Sequence, residues 1–544
     1  MWTIHLLYSD NVGVRDVIIE TYPGVHTDGI AIDSSRNVRI SNCYIDTGDD
    51  GIVIKAGKDA DGLRVNRPSE NISIVGCTVH RAHGAVTIGS ETSGWIRNLV
   101  AGNFTCWGTQ MGVRLKSRRG RGGGIENVRR LRGEPGWVCA RNGGVPAGHP
   151  AAKAAGGGTI YVPPGRYRSG PIELFSNMTL DADAGATIEF PVAELPFVKS
   201  RYLGVETLAP MPLIGAQYAE NVTVTGRGVL TTSGYEAWRK AYPKAYEEYL
   251  NTRKGVVSTH GDESGSANGP HWDRLLRALE LRQPVSEEEY RRAAAELRPS
   301  FISFINAKNV LVEGVRIVGA PMFVIHVLSS ENATVHNVMI QSYPGPHPNG
   351  IVVDSSRFVR ISDSYVDTGD DGIVLKAGKD ADGRRVNRPT GHVTITNCTV
   401  HHAHGAVVIG SESAGGIRNV VASNITAVDT ENGIRIKSRR GRAGTVEGAR
   451  FDTWTMQNVG AGIVVTSYYV MGGETASAVE PVTERTPVIR NIAISHVKIN
   501  GAKQLADIDG LPEMPIDGLR LMDVAGSRKA GFKARHTDAL PLRQ

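Results

Sequence analysis

Apolar and polar residues alternate along this chain in short runs, and each run opens on a polar turn. The starts are Asn11-Val12, Asn37-Val38, Asn71-Ile72 and Asn98-Leu99 in the first part, then Asn309-Val310, Asn337-Val338, Asn419-Val420 and Asn491-Ile492. A period of two marks strands with one buried face. Clear consecutive starts lie mostly in the twenties to low thirties of residues apart, with no helical period between them. That excludes βαβ layering. A coil of roughly 20–30 residues holding several short strands predicts an all-β fold, a right-handed parallel β-helix. Asn-x-Ser/Thr triplets at Asn71, Asn103, Asn177, Asn221, Asn332, Asn397 and Asn424 fall at or beside the turns. Most read as turn chemistry rather than glycosylation signals.

The pattern is written twice. Residues 1–129 align with 322–450 at a constant offset of 321 without a gap, and 79 of the 129 positions are identical. Met1 aligns with Met322, inside the longer copy, so the first copy reads as a domain entered part-way. The expected organisation is a partial β-helix over 1–129, a junction over 130–155, a fuller β-helix over 156–525 and a frayed tail over 526–544. Within the fuller copy, 235–298 loses the strand pattern and reads as a helical insertion. Residues 235–250 and 286–297 are its expected helices, with 255–269 a polar loop between them. Ser286 and Glu289 form a capping box at the start of the second helix.

Composition narrows the partners. The net charge is +6 with a pI near 9.0, which suits an acidic partner: nucleic acid, anionic membrane or acidic polysaccharide. No apolar run reaches the roughly 18 residues that a membrane span needs. The start, Met1-Trp2-Thr3-Ile4-His5, lacks the charged-then-apolar pattern of a signal peptide. An export signal would belong with the missing first part of the duplicated domain. The five cysteines are odd in number, contain no CxxC, and only Cys77 and Cys398 are equivalent by repeat. They support neither a disulfide framework nor a metal site.

The chemistry centres on Asp367-Thr368-Gly369-Asp370-Asp371-Gly372-Ile373, repeated as Asp46 to Ile52. Neighbouring side chains on a flat strand point to opposite faces, so the backbone must bend for Asp370 and Asp371 to share a cleft; the flanking glycines allow it. Like charges this close push one pKa up and leave the other low, as an acid/base pair requires. Equivalent positions on successive coils stack about 4.8 Å apart. One groove can therefore collect Asn349, Asp370, Asp371, His404, Arg435 and Lys437, the last two sharing a strand face. Carboxylates, an imidazole and two cations suit hydrolysis of an acidic sugar chain. Taken singly, each has a plainer reading: a solvated Asp-Asp turn, a satisfied turn histidine, a solvated strand face. Arg439-Arg440-Gly441-Arg442 has no aromatic platform beside it for nucleic acid.

The chain resembles glycoside hydrolase family 28, the polygalacturonases. The resemblance rests on Gly369-Asp370-Asp371, Ala403-His404-Gly405 and Arg435-Ile436-Lys437. The run from Lys376 to Arg385 is similar to a loop of bacterial exo-acting members, and the glycine-rich start near residue 160 to the family's early coil. It implies an inverting mechanism on pectin or polygalacturonate with no cofactor, in a secreted or periplasmic protein. Asp370 would protonate the glycosidic oxygen. Asp371, with the aspartate of the first motif, would activate water, and His404 would tune the acid. Arg435 and Lys437 would hold the substrate carboxylate, and Tyr468 would offer a sugar platform.

Each copy departs from the family pattern. The fuller copy has Asn349 where the first motif has aspartate, and an amide cannot take a proton from water at neutral pH. The partial copy keeps Asp28 with Asp49, Asp50, His83, Arg114 and Lys116, but begins without the preceding coils and lacks a counterpart of Tyr468. The first motif's asparagine is His26 in one copy and His347 in the other. The leading expectation is an exo-acting polygalacturonase weakened by Asn349. The alternative is a β-helical protein that grips acidic polysaccharide without cleaving it. A pectate lyase would want a calcium-binding carboxylate cluster and an arginine base.

Overall fold

The computed structural model describes residues 2–102, 105–131, 156–162, 164–191, 194–232, 269–345, 348–469, 479–526 and 531–538. The expected helix at 235–250 lies outside them, as do Asn103, His347, most of 130–155 and all but Gly269 of 255–269. The chain divides into two units, 1–135 and 136–544.

Both units are built from parallel ladders, as a right-handed parallel β-helix. The first has three sheets of five, five and four strands. The second has one sheet of 17 strands, from Gly158–Val162 to Asp517–Gly526, and one of 11, from Ile172–Glu173 to Gly531–Arg535. Inward residues alternate as the periodicity requires: Ile351 and Val353, Ile373 and Leu375, Val407 and Ile409, Ile434 and Ile436 are all fully buried. The strand Gly531–Arg535 pairs with Gln504–Asp509, so the ladder runs past residue 525 into the expected tail. Its side chains are mostly exposed; the edge strand's backbone groups recruit it.

The turn asparagines have a specific reason. Asn11, Asn37, Asn71, Asn98, Asn309, Asn337, Asn419 and Asn491 all take positive φ, a region asparagine tolerates better than most residues. Stacked coils then join their amides into ladders. Asn71 donates to Asn37 at 3.1 Å and Asn98 to Asn71 at 3.0 Å; Asn309 donates to Asn221 at 3.0 Å and Asn332 to Asn309 at 2.8 Å.

Two further elements border the outward face of the 11-stranded sheet. Helices Pro270–Glu280 and Glu287–Ala294 form part of the insertion, and the Ser286–Glu289 capping box is present. With the antiparallel hairpin Phe197–Tyr202/Val205–Pro210 they bury Trp272, Leu275, Leu297 and Tyr202 against Val352, Val374 and Val408. Register continues that outward column to Arg435. Run Lys376 to Arg385 contributes the short helix Asp380–Val386, with acids in its first turn, arginines in its last, and Asn387 as a left-handed cap.

His326 lies in the same outward layer, fully buried, with Phe323 edge-on at 5.1 Å. Beside it Arg201 reaches from the hairpin to Asp354 at 2.7 Å. Burial pushes the His326 pKa down to about 4. An unfolded histidine titrates near 6.5. The unfolded chain therefore gains a proton that the folded one refuses, and stability falls as pH drops from about 6.5 to about 4. The loss expected from this group is on the order of 3 kcal/mol. Urea unfolding of the wild type and His326→Asn at pH 7 and pH 5 checks this: the variant should lose less between the two.

Candidate active site

Four successive coils bring the site together. Asn349 lies in the turn before strand Ile351–Asp354, and the Asp370-Asp371 bend joins Tyr365–Asp367 to Ile373–Lys376. His404 lies in the turn before Val407–Gly410, and Arg435 and Lys437 sit on Asn432–Lys437. Backbone bonds lock these turns in order: Gly350 N–H donates to the Asp371 carbonyl at 2.9 Å, and His404 N–H to the Asp370 carbonyl at 3.0 Å. Thr368 Oγ1 donates to the Pro348 carbonyl, tying the acid bend to the turn that carries Asn349. The flanking glycines serve close approach rather than left-handed backbone. A Cβ on Gly369 would stand 2.1 Å from the Gly345 carbonyl oxygen, and one on Gly372 would stand 2.5 Å from Val400.

The two carboxylates have different surroundings. Asp371 is buried, and its Oδ2 accepts from Lys437 Nζ at 2.8 Å, with Arg435 Nη1 4.0 Å from Oδ1. Its Oδ1 is buried without a hydrogen-bond partner, as is Oδ1 of Asn349. Asp370 is more open. Its Oδ2 accepts from Asn349 Nδ2 at 3.0 Å, and its Oδ1 accepts from the Asp371 N–H at 2.8 Å and lies 3.2 Å from His404 Nδ1. On the far side of the imidazole, Nε2 is 3.6 Å from Glu431 Oε1. Burial alone would lower the His404 pKa; the bonded Asp370 carboxylate and the charge of Glu431 outweigh it and raise the pKa. The arrangement thus sets one carboxylate against an imidazole and, beside it, a second carboxylate against a lysine.

Structure also brings in groups the sequence reading missed. Lys376 and Glu412 form a buried pair at 2.6 Å, and the nearby cations hold Glu412 down to about 2 against its burial. Tyr469 is the tyrosine over the cations, its ring 4.9 Å from Lys437 Nζ and 5.4 Å from the Arg435 guanidinium. Tyr468 instead lies over Arg440. The Ser467-Tyr468-Tyr469 run signals a tyrosine here, but choosing between neighbours needs the strand's facing, which a pair of identical residues hides. Glu431 carried no motif.

The first unit repeats the arrangement. Lys116 meets Asp50 at 2.7 Å with Arg114 at 3.8 Å, and His83 meets Asp49 at 3.1 Å. Asp28, Asp49 and Asp50 offer oxygens within 4.8 Å of one another. Asp28 accepts from the Asp50 N–H at 3.2 Å, and its burial, with the neighbouring acids, raises its pKa. Two differences matter. Thr87 donates to Asp50 Oδ1 at 2.7 Å, where the second unit has Val408. Lys116 is also 28% exposed against 7% for Lys437.

A model of the family described as Glycosyl hydrolases family 28 matches residues 2–131 and 287–525. The chain belongs to this family. The family 28 relatives it matches are covered over different shares of their own lengths. It is 33% identical to the solved exopolygalacturonase of Thermotoga maritima, with a TM-score of 0.59 over 68% of this chain and 80% of that one. It is 25% identical over 375 residues to a probable polygalacturonase of Vitis vinifera, covering 68% of this chain and 67% of the relative. It is 27% identical over 322 residues to the exo-poly-alpha-D-galacturonosidase of Dickeya chrysanthemi, spanning about half of that relative, 52%. The chain is thus a glycoside hydrolase of the polygalacturonase type.

Because Asp371 and Lys437 are both buried, removing one partner strands the other. Lys437→Met is expected to cost about 3–5 kcal/mol of unfolding free energy. Urea titration checks it; a loss below about 1 kcal/mol, the range of exposed pairs, would contradict the burial argument.

Proposed function

We propose that the second unit hydrolyses α-1,4-galacturonosyl bonds of polygalacturonate by an inverting, exo-acting mechanism. The observation that carries this is the unequal pair: Asp370 in contact with His404, Asp371 against Lys437. Asp370 protonates the leaving oxygen. Asp371, paired with Lys437, takes the proton of a water that Asn349 Oδ1 helps to hold, since both offer a buried acceptor without a protein partner. Arg435, backed by Tyr469, meets the substrate carboxylate, while Lys437 is largely committed to Asp371. Tyr468 is left as a secondary sugar contact.

Exo action is supported by the helical insertion and hairpin over Val352, Val374 and Val408, which suit a groove closed on one side, and by two relatives bearing exo-acting names. The groove's cations suit pectin better than a neutral polysaccharide. In keeping with such a substrate, we place the protein outside the cytoplasm; among the described residues no helix is long and apolar enough to cross a membrane.

Reducing-sugar release from polygalacturonate, with product sizing and proton NMR of the new anomer, tests the proposal. Galacturonate monomer of inverted configuration is expected. Asn349→Asp should raise kcat, within the roughly 10²–10⁴-fold range of general-base catalysis. Retention of polygalacturonate with no sugar release, in wild type and variant alike, would hand the reading to a non-catalytic polysaccharide-binding protein. Unsaturated, ultraviolet-absorbing products would point to a lyase.

A further inference from the structure

The two copies differ on another face, in the 17-stranded sheet. In the first unit, Asn37 and Asn71 belong to the amide ladder. Their counterparts in the second unit are Phe358 and His392, stacked ring on ring at 4.9 Å and 14°. Both keep the left-handed backbone, φ +58° and +54°, which an asparagine tolerates and a phenylalanine does not favour. Phe358 is 46% exposed. Strain of this kind persists where something other than local stability selects it.

The stack forms one wall of a shallow cleft of about 460 Å³. Its other wall is an outward column set by register: Arg360 beside Thr394, Thr394 beside Val421, Val421 beside Arg450. Four coils put the two arginines about 14 Å apart at the ladder spacing. No carboxylate is among the residues lining the cleft. Its ends are cationic, its middle offers a hydroxyl and an exposed valine, and its long axis follows the solenoid.

We propose that this cleft is a second binding site for an anionic sugar chain, separate from the catalytic groove. Arg360 and Arg450 pair with uronate carboxylates, and the edges of Phe358 and His392 and the Val421 side chain pack against the apolar side of the sugars. The site anchors polymer while the catalytic groove works. The choice of ligand rests on the polygalacturonate reading above; the test separates the two.

The first unit supplies the control substitutions, because Asn37 and Asn71 occupy these positions in a copy that forms the same coils. Phe358→Asn/His392→Asn and Arg360→Gln/Arg450→Gln are each placed in the full chain carrying Asp370→Asn, so that polymer is not consumed. Affinity for long polygalacturonate is read by affinity electrophoresis. The same pairs in the wild-type background are assayed for kcat/KM on digalacturonate. Each pair is expected to weaken polymer affinity about tenfold, the equivalent of 1.4 kcal/mol, and to leave digalacturonate turnover unchanged. Unaltered polymer affinity in either pair overturns the proposal, and so does a parallel fall in digalacturonate turnover. If wild type turns over no digalacturonate, the catalytic reading fails, while the affinity comparison still decides the cleft.

Discussion

Everything in this chain depends on in-register stacking of parallel coils. Each coil is too short to bury its own apolar face, and burial comes from the coil above and below. The constraint that stabilises the fold also builds the site. Asn349, Asp370, Asp371, His404 and Arg435 come from four turns and strands spread over 87 positions, 435 minus 349 plus one. The ladder alone makes them neighbours. Because the steps are fixed by backbone hydrogen bonds, the groups are held in place before any substrate arrives, which is what acid/base catalysis needs.

The duplication lets one site be compared with another in the same chain. With aspartate at position 28, three carboxylates crowd together and Asp28 is pushed toward its neutral form. With asparagine at 349, the crowding is relieved and the amide donates to Asp370 instead. The exchange removes a carboxylate and gives Asp370 a hydrogen-bond donor; on the proposed mechanism, that donor favours the ionised form of the group proposed to act protonated. The second unit has the insertion over the outward column, Tyr469 over the cations, and a lysine almost fully withdrawn from solvent, whereas Lys116 of the first unit is 28% exposed. One chain thus holds a better-enclosed site with one fewer carboxylate and a more open site with all three.

Much of this was legible in the sequence. Period-two alternation and evenly spaced Asn-Val starts carry the solenoid, because the same asparagines must take positive φ and stack their amides. The repeated Gly-Asp-Asp, the Ala-His-Gly and the Arg-Ile-Lys carry the site, because stacking converts sequence order into spatial order. What stayed hidden depends on facing. Whether Tyr468 or Tyr469 covers the cations turns on one residue of register. That Lys437 serves Asp371, not only a substrate, turns on which side chain is buried. Glu431 and Glu412 belong to no motif, and the pairing of Glu412 with Lys376 follows only from distance. The sequence pattern puts Gly531–Arg535 in the tail because an edge strand recruited by backbone bonds needs little apolar pattern of its own.

We place the chemistry on the Asp370–Asp371 pair of the second unit, with the first unit contributing little to catalysis. This placement is tested most directly by reducing-sugar release from polygalacturonate by two matched variants of the full chain, Asp370→Asn and Asp49→Asn. Asp370→Asn is expected to abolish release, and Asp49→Asn to leave it near the wild-type level. Loss of release in Asp49→Asn with retention in Asp370→Asn would put the working site in the first unit and contradict it.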